Sequence, residues 1–208
     1  MLFGEASGDR CPSLNTDEDE LVWLMGMLAG IQAVQHDGAS LRAVGVPLDV
    51  PVKAMRGMRC LDNEKWWGIP GALTAAVWLI VPGSNQGVAN ASGESSDPHS
   101  ALEASLKVAE KAEVKAAFAI AAMVHENAGQ TKAVSGLVTR YHLATKDVKL
   151  NTAKRLLELN ARRQLLAASD RIWTKATGHR TPMDQFGSFP MSETPAESSE
   201  DDSLLDDL

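Results

Sequence analysis

The side chains in this chain best suited to chemistry are cations, and they are gathered in one stretch. Residues 131–191 carry eleven Lys and Arg against four Asp and Glu. Within that stretch Leu150, Ala153, Leu157, Ala161, Leu165, Ala168 and Ile172 recur at helical spacing and mark the buried stripe of a helix over 147–176. Counting about 100° per residue from Leu150, Arg155 falls at about 140°, Arg162 at about 120°, Arg163 at about 220° and Trp173 at about 140°. Two arginines and an indole therefore share a face turned away from the stripe. Arginines neutralise phosphates, and an aromatic ring stacks on a base. Arg140, Lys146, Lys149 and Lys154 add charge around the same helix. The expected RNA-binding set is thus Arg140, Lys146, Lys149, Lys154, Arg155, Arg162, Arg163 and Trp173. The plainer alternative is a solvated helix face with Trp173 packed inside.

Other chemistries find no support. The histidines (His36, His99, His125, His142 and His179) fall on separate elements without ligand spacing. His125-Glu126 lacks a second His at zinc-protease spacing, and there is no GxSxG, Walker or GxGxxG motif. A non-enzyme without metal or cofactor is the expectation. Cys11 and Cys60, the only two cysteines, do not form a CxxC pair and argue against a disulfide-stapled secreted fold. No basic segment leads into an apolar one, so no signal peptide is read. The longest apolar run, 72–81, is about half the length a bilayer span needs. A cytoplasmic protein with no membrane contact is expected, or a virion component if the chain is a viral structural protein.

The elements that would position these residues read as all-α, in two helical lobes. Residues 1–15 form an irregular, flexible arm. A lobe over 16–81 starts with a helix at 17–36, capped by Thr16 with Asp19 at the third helical position. Its apolar residues cover nearly the whole circumference, so burial on most sides is expected, with help from a second subunit. A short helix over 51–60 turns Val52, Met55 and Met58 inward and Lys53, Arg56 and Arg59 outward. The apolar run 72–81 is read as helix from its alanines and the lack of a partner strand. Residues 82–98, rich in Gly, Ser and Asn, form a flexible loop. The second lobe, 99–178, holds a long helix over 97–127 with Glu103 and Lys107 at i,i+4, then a helix over 131–145, then the basic helix. Residues 179–208 read as a disordered acidic tail, with Phe186 and Phe189 as its only large aromatics.

Charge is segregated along this layout. The total is −7, yet residues 192–208 alone hold seven acids and no base. Such asymmetry points to polyanion contact, self-association or both. The tail could be a solubiliser, a competitor of nucleic acid for the basic helix, or an acidic segment that docks a protein partner through Leu204, Leu205 and Leu208. Trp23 and Met27 on the first helix, with Trp66 and Trp67 in a Gly/Pro-flanked turn, are the expected anchors of a homo-oligomer interface. Two functions follow. One is a self-assembling structural protein of nucleoprotein or filamentous coat type that binds single-stranded RNA. The other is a helical adaptor that docks a partner through its acidic tail.

Overall fold

In a computed structural model of the chain, residues 11–85, 97–145 and 150–190 are described. They form seven helices and, among the described residues, no strand: α1 (Asp17–Ala39), α2 (Val50–Met58), α3 (Ile69–Ile80), α4 (Pro98–Lys111), α5 (Ala116–Asn127), α6 (Thr131–Ala144) and α7 (Thr152–Thr177).

Local chemistry explains where most of them begin and end. The Thr16 hydroxyl accepts from the Asp19 N–H at 3.1 Å, and the Asp19 carboxylate accepts from the Thr16 N–H at 3.2 Å. That reciprocal pair satisfies donors left open at the start of α1. Asp97 caps α4 through the Ser100 N–H at 2.7 Å, with Pro98 in the first turn. α7 begins at Thr152 rather than at 147, capped by Asn151, whose side chain accepts from the Lys154 N–H at 3.0 Å, and it stops at Gly178 with φ 79°. The apolar run 72–81 is helical: α3 is buried along most of its length, with Leu73, Ala75, Ala76 and Val77 almost inaccessible.

α3 and α5 make the centre. α3 packs on α2, α4 and α5, while α5 packs on α3, α4, α6 and α7. Ala117, Ala119, Ala121 and Ala122 keep the surface of α5 narrow, so that several helices approach it closely. One continuous cluster of buried residues runs from Trp23 and Leu24 through Phe118 and Tyr141 to Ala168. The cluster draws residues from both expected lobes, 16–81 and 99–178.

Four expectations change. The helix expected over 97–127 is broken between Lys111 and Ala116. Val114 is fully buried there, and the Glu158 carboxylate of α7 takes the Lys115 backbone N–H at 2.7 Å at the head of α5. The break is set from outside the segment, and no Gly or Pro marks it. Residues 179–190 are no tail but a strap folded back on the body. Phe186 packs edge-on to Tyr141 and His142, Thr139 donates to the Gly187 carbonyl at 2.6 Å, and Thr181 donates to Ser169 at 2.9 Å. At the other end Cys11 is disulfide-bonded to Cys60 and Leu14 packs on the core, so residues 11–15 are not a free arm. The two cysteines, expected to argue against a disulfide-stapled fold, are thus joined in a disulfide. Finally, α1 buries only Trp23, Leu24, Ile31 and Asp37, while Val22 and Met25 stand 48% and 38% exposed. The remainders of arm and tail, residues 1–10 and 191–208, and most of the loop, residues 86–96, lie outside the described residues. Within the described residues no helix is long and apolar enough to cross a membrane.

Candidate nucleic-acid interface

The structure separates the expected cations into bound and free. Arg140 on α6 is bound: its guanidinium donates to both oxygens of Glu103, at 2.9 and 3.0 Å, and to Glu110 at 3.0 and 2.8 Å. The Glu103 hydrogen bonds push the Arg140 pKa still higher. A guanidinium forked onto two carboxylates is a structural tie between α4 and α6, with four of its five N–H donors and its charge already committed. Lys154 on α7 is paired with Glu113 and lies 5.8 Å from the centre of the Trp67 ring. Lys146 and Lys149 fall outside the described residues.

Arg155, Arg162 and Arg163 are different. All three are exposed on α7 and form no ion pair with a described residue. They do not stand on a purely polar face. Leu156, Leu159 and Leu166 lie among them, 63%, 46% and 40% exposed. The opposite side of the helix, with Leu157, Ala161, Leu165 and Ala168, is buried against the body, as its spacing predicts.

Trp173 does not join the arginines. It sits on their side of the helix, but the strap covers it, leaving 9% exposed, and its indole N–H donates to the Ser188 carbonyl at 3.1 Å. The ring is therefore core and cannot stack on a base. The partner that buries it comes from a segment whose composition suggests a disordered tail.

The expected oligomer anchors also turn inward, two of them only in part. Trp23 is 3% exposed and donates its indole N–H to the Gly57 carbonyl of α2 at 2.8 Å. Met27 is partly covered, its sulfur lying against Gly57, where an added Cβ would meet it at 2.8 Å. Trp66 is 5% exposed and donates to the Glu20 carboxylate. Glu20 also pairs with Lys65, and that hydrogen bond together with the Trp66 donor holds its carboxyl below the usual range. These residues close α1 onto α2 and onto the turn before α3, so they are occupied within the chain. Trp67, like Met27, is only partly buried.

Apolar surface free for association lies elsewhere, on the loop after α1. Leu41, Val44 and Leu48 are 93%, 82% and 66% exposed. The loop is braced from below by Asp37, whose buried carboxylate accepts from the N–H groups of Val44, Gly45 and Val46 at 2.8, 3.2 and 2.7 Å. The Val44 hydrogen bond in particular lowers the Asp37 pKa. Nothing in the spacing of these residues announces the arrangement, since the carboxylate and the amides it holds belong to a helix end and an irregular loop. Comparison with protein-family models, curated proteins and solved structures returns no match.

Proposed function

We propose that this chain is a non-enzymatic, self-assembling structural protein that binds single-stranded RNA along the outer face of α7, in the manner of a nucleoprotein or filamentous coat protein. One observation carries the reading. Of the cations expected to contact RNA, Arg140 and Lys154 are committed to carboxylates, whereas Arg155, Arg162 and Arg163 are exposed and unneutralised by any described residue. An unpaired guanidinium row on a rigid helix is a site for phosphates, and its affinity comes from released counterions. Self-association is supported by the exposed Leu41, Val44 and Leu48, held out on a loop that Asp37 keeps in shape.

A direct test is purification of the full chain with and without a high-salt wash. Absorbance at 260 and 280 nm should reveal copurifying nucleic acid that the wash removes, and light scattering should show a mass above the monomer. A protein free of nucleic acid at low salt would contradict the RNA reading, and a strict monomer at high concentration would contradict assembly.

A second reading, a helical adaptor, is favoured by the leucines. Leu156, Leu159 and Leu166 interleaved with arginines suit a partner segment that alternates acidic and apolar residues. Replacing the three leucines with Ser separates the two readings. Binding of RNA through phosphates survives that change, whereas docking of such a partner does not.

A further inference from the structure

Trp66 and Trp67 are neighbours in sequence and part company in space. The turn before α3 drives them apart. Asp62 accepts the Lys65 N–H at 2.7 Å, Asn63 accepts the Gly71 N–H at 2.8 Å, and the Gly68 N–H reaches the Asn63 carbonyl at 2.7 Å. Two consecutive residues, Trp67 and Gly68, are left-handed, with φ 56° and 79°. Glycine is obligatory at 68, where a Cβ would lie 2.3 Å from the Ser105 carbonyl oxygen of α4. At Trp67 the same region is costly for a bulky side chain and persists only because its surroundings impose it. The result is a T-shaped pair, with centroids 5.3 Å apart and planes at 80°, in which Trp66 is buried in the core and Trp67, packed against the core, keeps part of its surface outward.

Outward means toward a hollow of about 470 Å³, within the size range of small-molecule sites. Trp67 lines it together with Lys107, Lys111, Glu64 and Glu113 and the small apolar side chains of Val108 and Ala112. Lys107 and Lys111 stand one turn apart on α4, exposed, and form no ion pair with a described residue. The pairing expected from sequence, Glu103 with Lys107, is pre-empted, because Arg140 takes both Glu103 oxygens. Glu113 is answered by Lys154, whose ammonium stands 5.8 Å from the Trp67 ring centre. Two free lysines against the single remaining carboxylate of Glu64 leave the hollow net positive.

We propose that this hollow binds a nucleoside phosphate, with the Trp67 indole as the platform for the base and Lys107 and Lys111 as the phosphate contacts. An aromatic face beside paired ammonium groups meets both halves of such a ligand, the flat ring and the anion, and Glu64 can accept from a sugar hydroxyl or a base amino group. Simple anions or acidic peptides would use the lysines but give the strained indole nothing to do. The ligand is either a free nucleotide or one unit of an RNA strand. In the second case the site extends the RNA path of α7, because Lys154 is adjacent in sequence to Arg155 and links the hollow to the arginine row. Only that extension rests on RNA binding, and the site itself does not.

The test titrates the full-length chain with adenosine monophosphate, inorganic phosphate, an oligoglutamate peptide and a short oligoadenylate, followed by calorimetry and tryptophan emission. Adenosine monophosphate is expected to quench emission and to bind at least about tenfold more tightly than phosphate or oligoglutamate. Trp67→Ala should weaken it by about 5- to 150-fold, the range for removal of one base–aromatic stack, while Trp67→Phe keeps most of the affinity. Because Trp67 is partly buried, the exposed pair Lys107→Gln/Lys111→Gln gives an independent arm, folded as the parent and weaker for the nucleotide. Oligoadenylate binding more tightly than the monophosphate, with that advantage lost in Arg155→Ala/Arg162→Ala/Arg163→Ala, places the hollow on an RNA path. Monophosphate binding without any oligoadenylate advantage keeps the site and removes RNA from it. Equal binding of phosphate or oligoglutamate, or unchanged nucleotide affinity in the double lysine variant, overturns the proposal.

Discussion

At Trp173 the indole N–H is satisfied by the Ser188 carbonyl and the ring lies between α7 and the strap. Its replacement by Ala should therefore cost stability, about 3–5 kcal/mol, with no selective loss of RNA binding. Equilibrium urea unfolding read beside an RNA titration checks this, and a folded variant that binds RNA poorly would contradict it. Asp37 makes a pH-dependent contribution of known sign. Three backbone N–H groups, that of Val44 foremost, hold its carboxyl below the ordinary aspartate range. A carboxyl whose folded pKa lies below its unfolded one stabilises fully above the unfolded value and loses that contribution as pH falls through the folded one. Asp37→Asn should be less stable than the parent near neutrality, and the gap should close on acidification below about pH 4. A gap that stays constant across that range in denaturation experiments would show that the carboxylate charge is not what braces the loop. Residue by residue, the sequence is informative where a side chain answers its own backbone. Thr16 is read correctly because a cap involves only a few neighbours in the chain. It is uninformative where the partner is distant. Arg140 has no local signature that separates a phosphate ligand from a tie to Glu103 and Glu110, thirty or more positions away.

Among the elements, the amphipathic spacing of α7 and the alanine content of α3 suffice to foresee two helices and their buried sides. The break between α4 and α5 escapes because it is imposed by Glu158 reaching the Lys115 N–H and by burial of Val114, neither of which appears in local propensity. The strap at 179–190 escapes for a related reason. Its two phenylalanines show no period, since they pack as single anchors, one against Tyr141 and His142, rather than as a face. The Cys11–Cys60 bond ties the segment before α1 to the end of α2 across a separation of 49 residues. Closing a loop of that size restricts the unfolded chain, and opening it should cost about 2–4 kcal/mol. Urea midpoints measured with and without reductant should differ accordingly in the parent, and Cys60→Ser should show the lower midpoint in both conditions. Equal midpoints for the parent in the two conditions would mean that the cross-link contributes no stability.

At the scale of the whole molecule, the proposed function turns on how charge is divided. Pairing within the fold consumes Lys53, Lys65, Arg140, Lys154 and Arg171. Arg155, Arg162 and Arg163, without an ion pair among the described residues, remain on a chain whose residues 192–208 bring its net charge from 0 to −7. Removing residues 192–208 should therefore tighten RNA binding, most visibly at low salt, where screening is weakest. An affinity that does not change on truncation across a salt series would leave the tail without influence on the basic helix. The segregation of charge is plain in the sequence, but the difference between Arg140 and Lys154 on one side and Arg155, Arg162 and Arg163 on the other is not, because it depends on which carboxylates the fold brings near. If Arg155, Arg162 and Arg163 hold phosphates, the salt dependence of RNA binding must register them. For the parent, the logarithm of the affinity should fall steeply and linearly with the logarithm of salt concentration. For the folded Arg155→Ala/Arg162→Ala/Arg163→Ala variant, binding should be weaker, and the slope shallower by roughly one for each phosphate no longer neutralised. A variant that matches the parent in affinity and slope at every salt concentration would contradict phosphate binding by this helix.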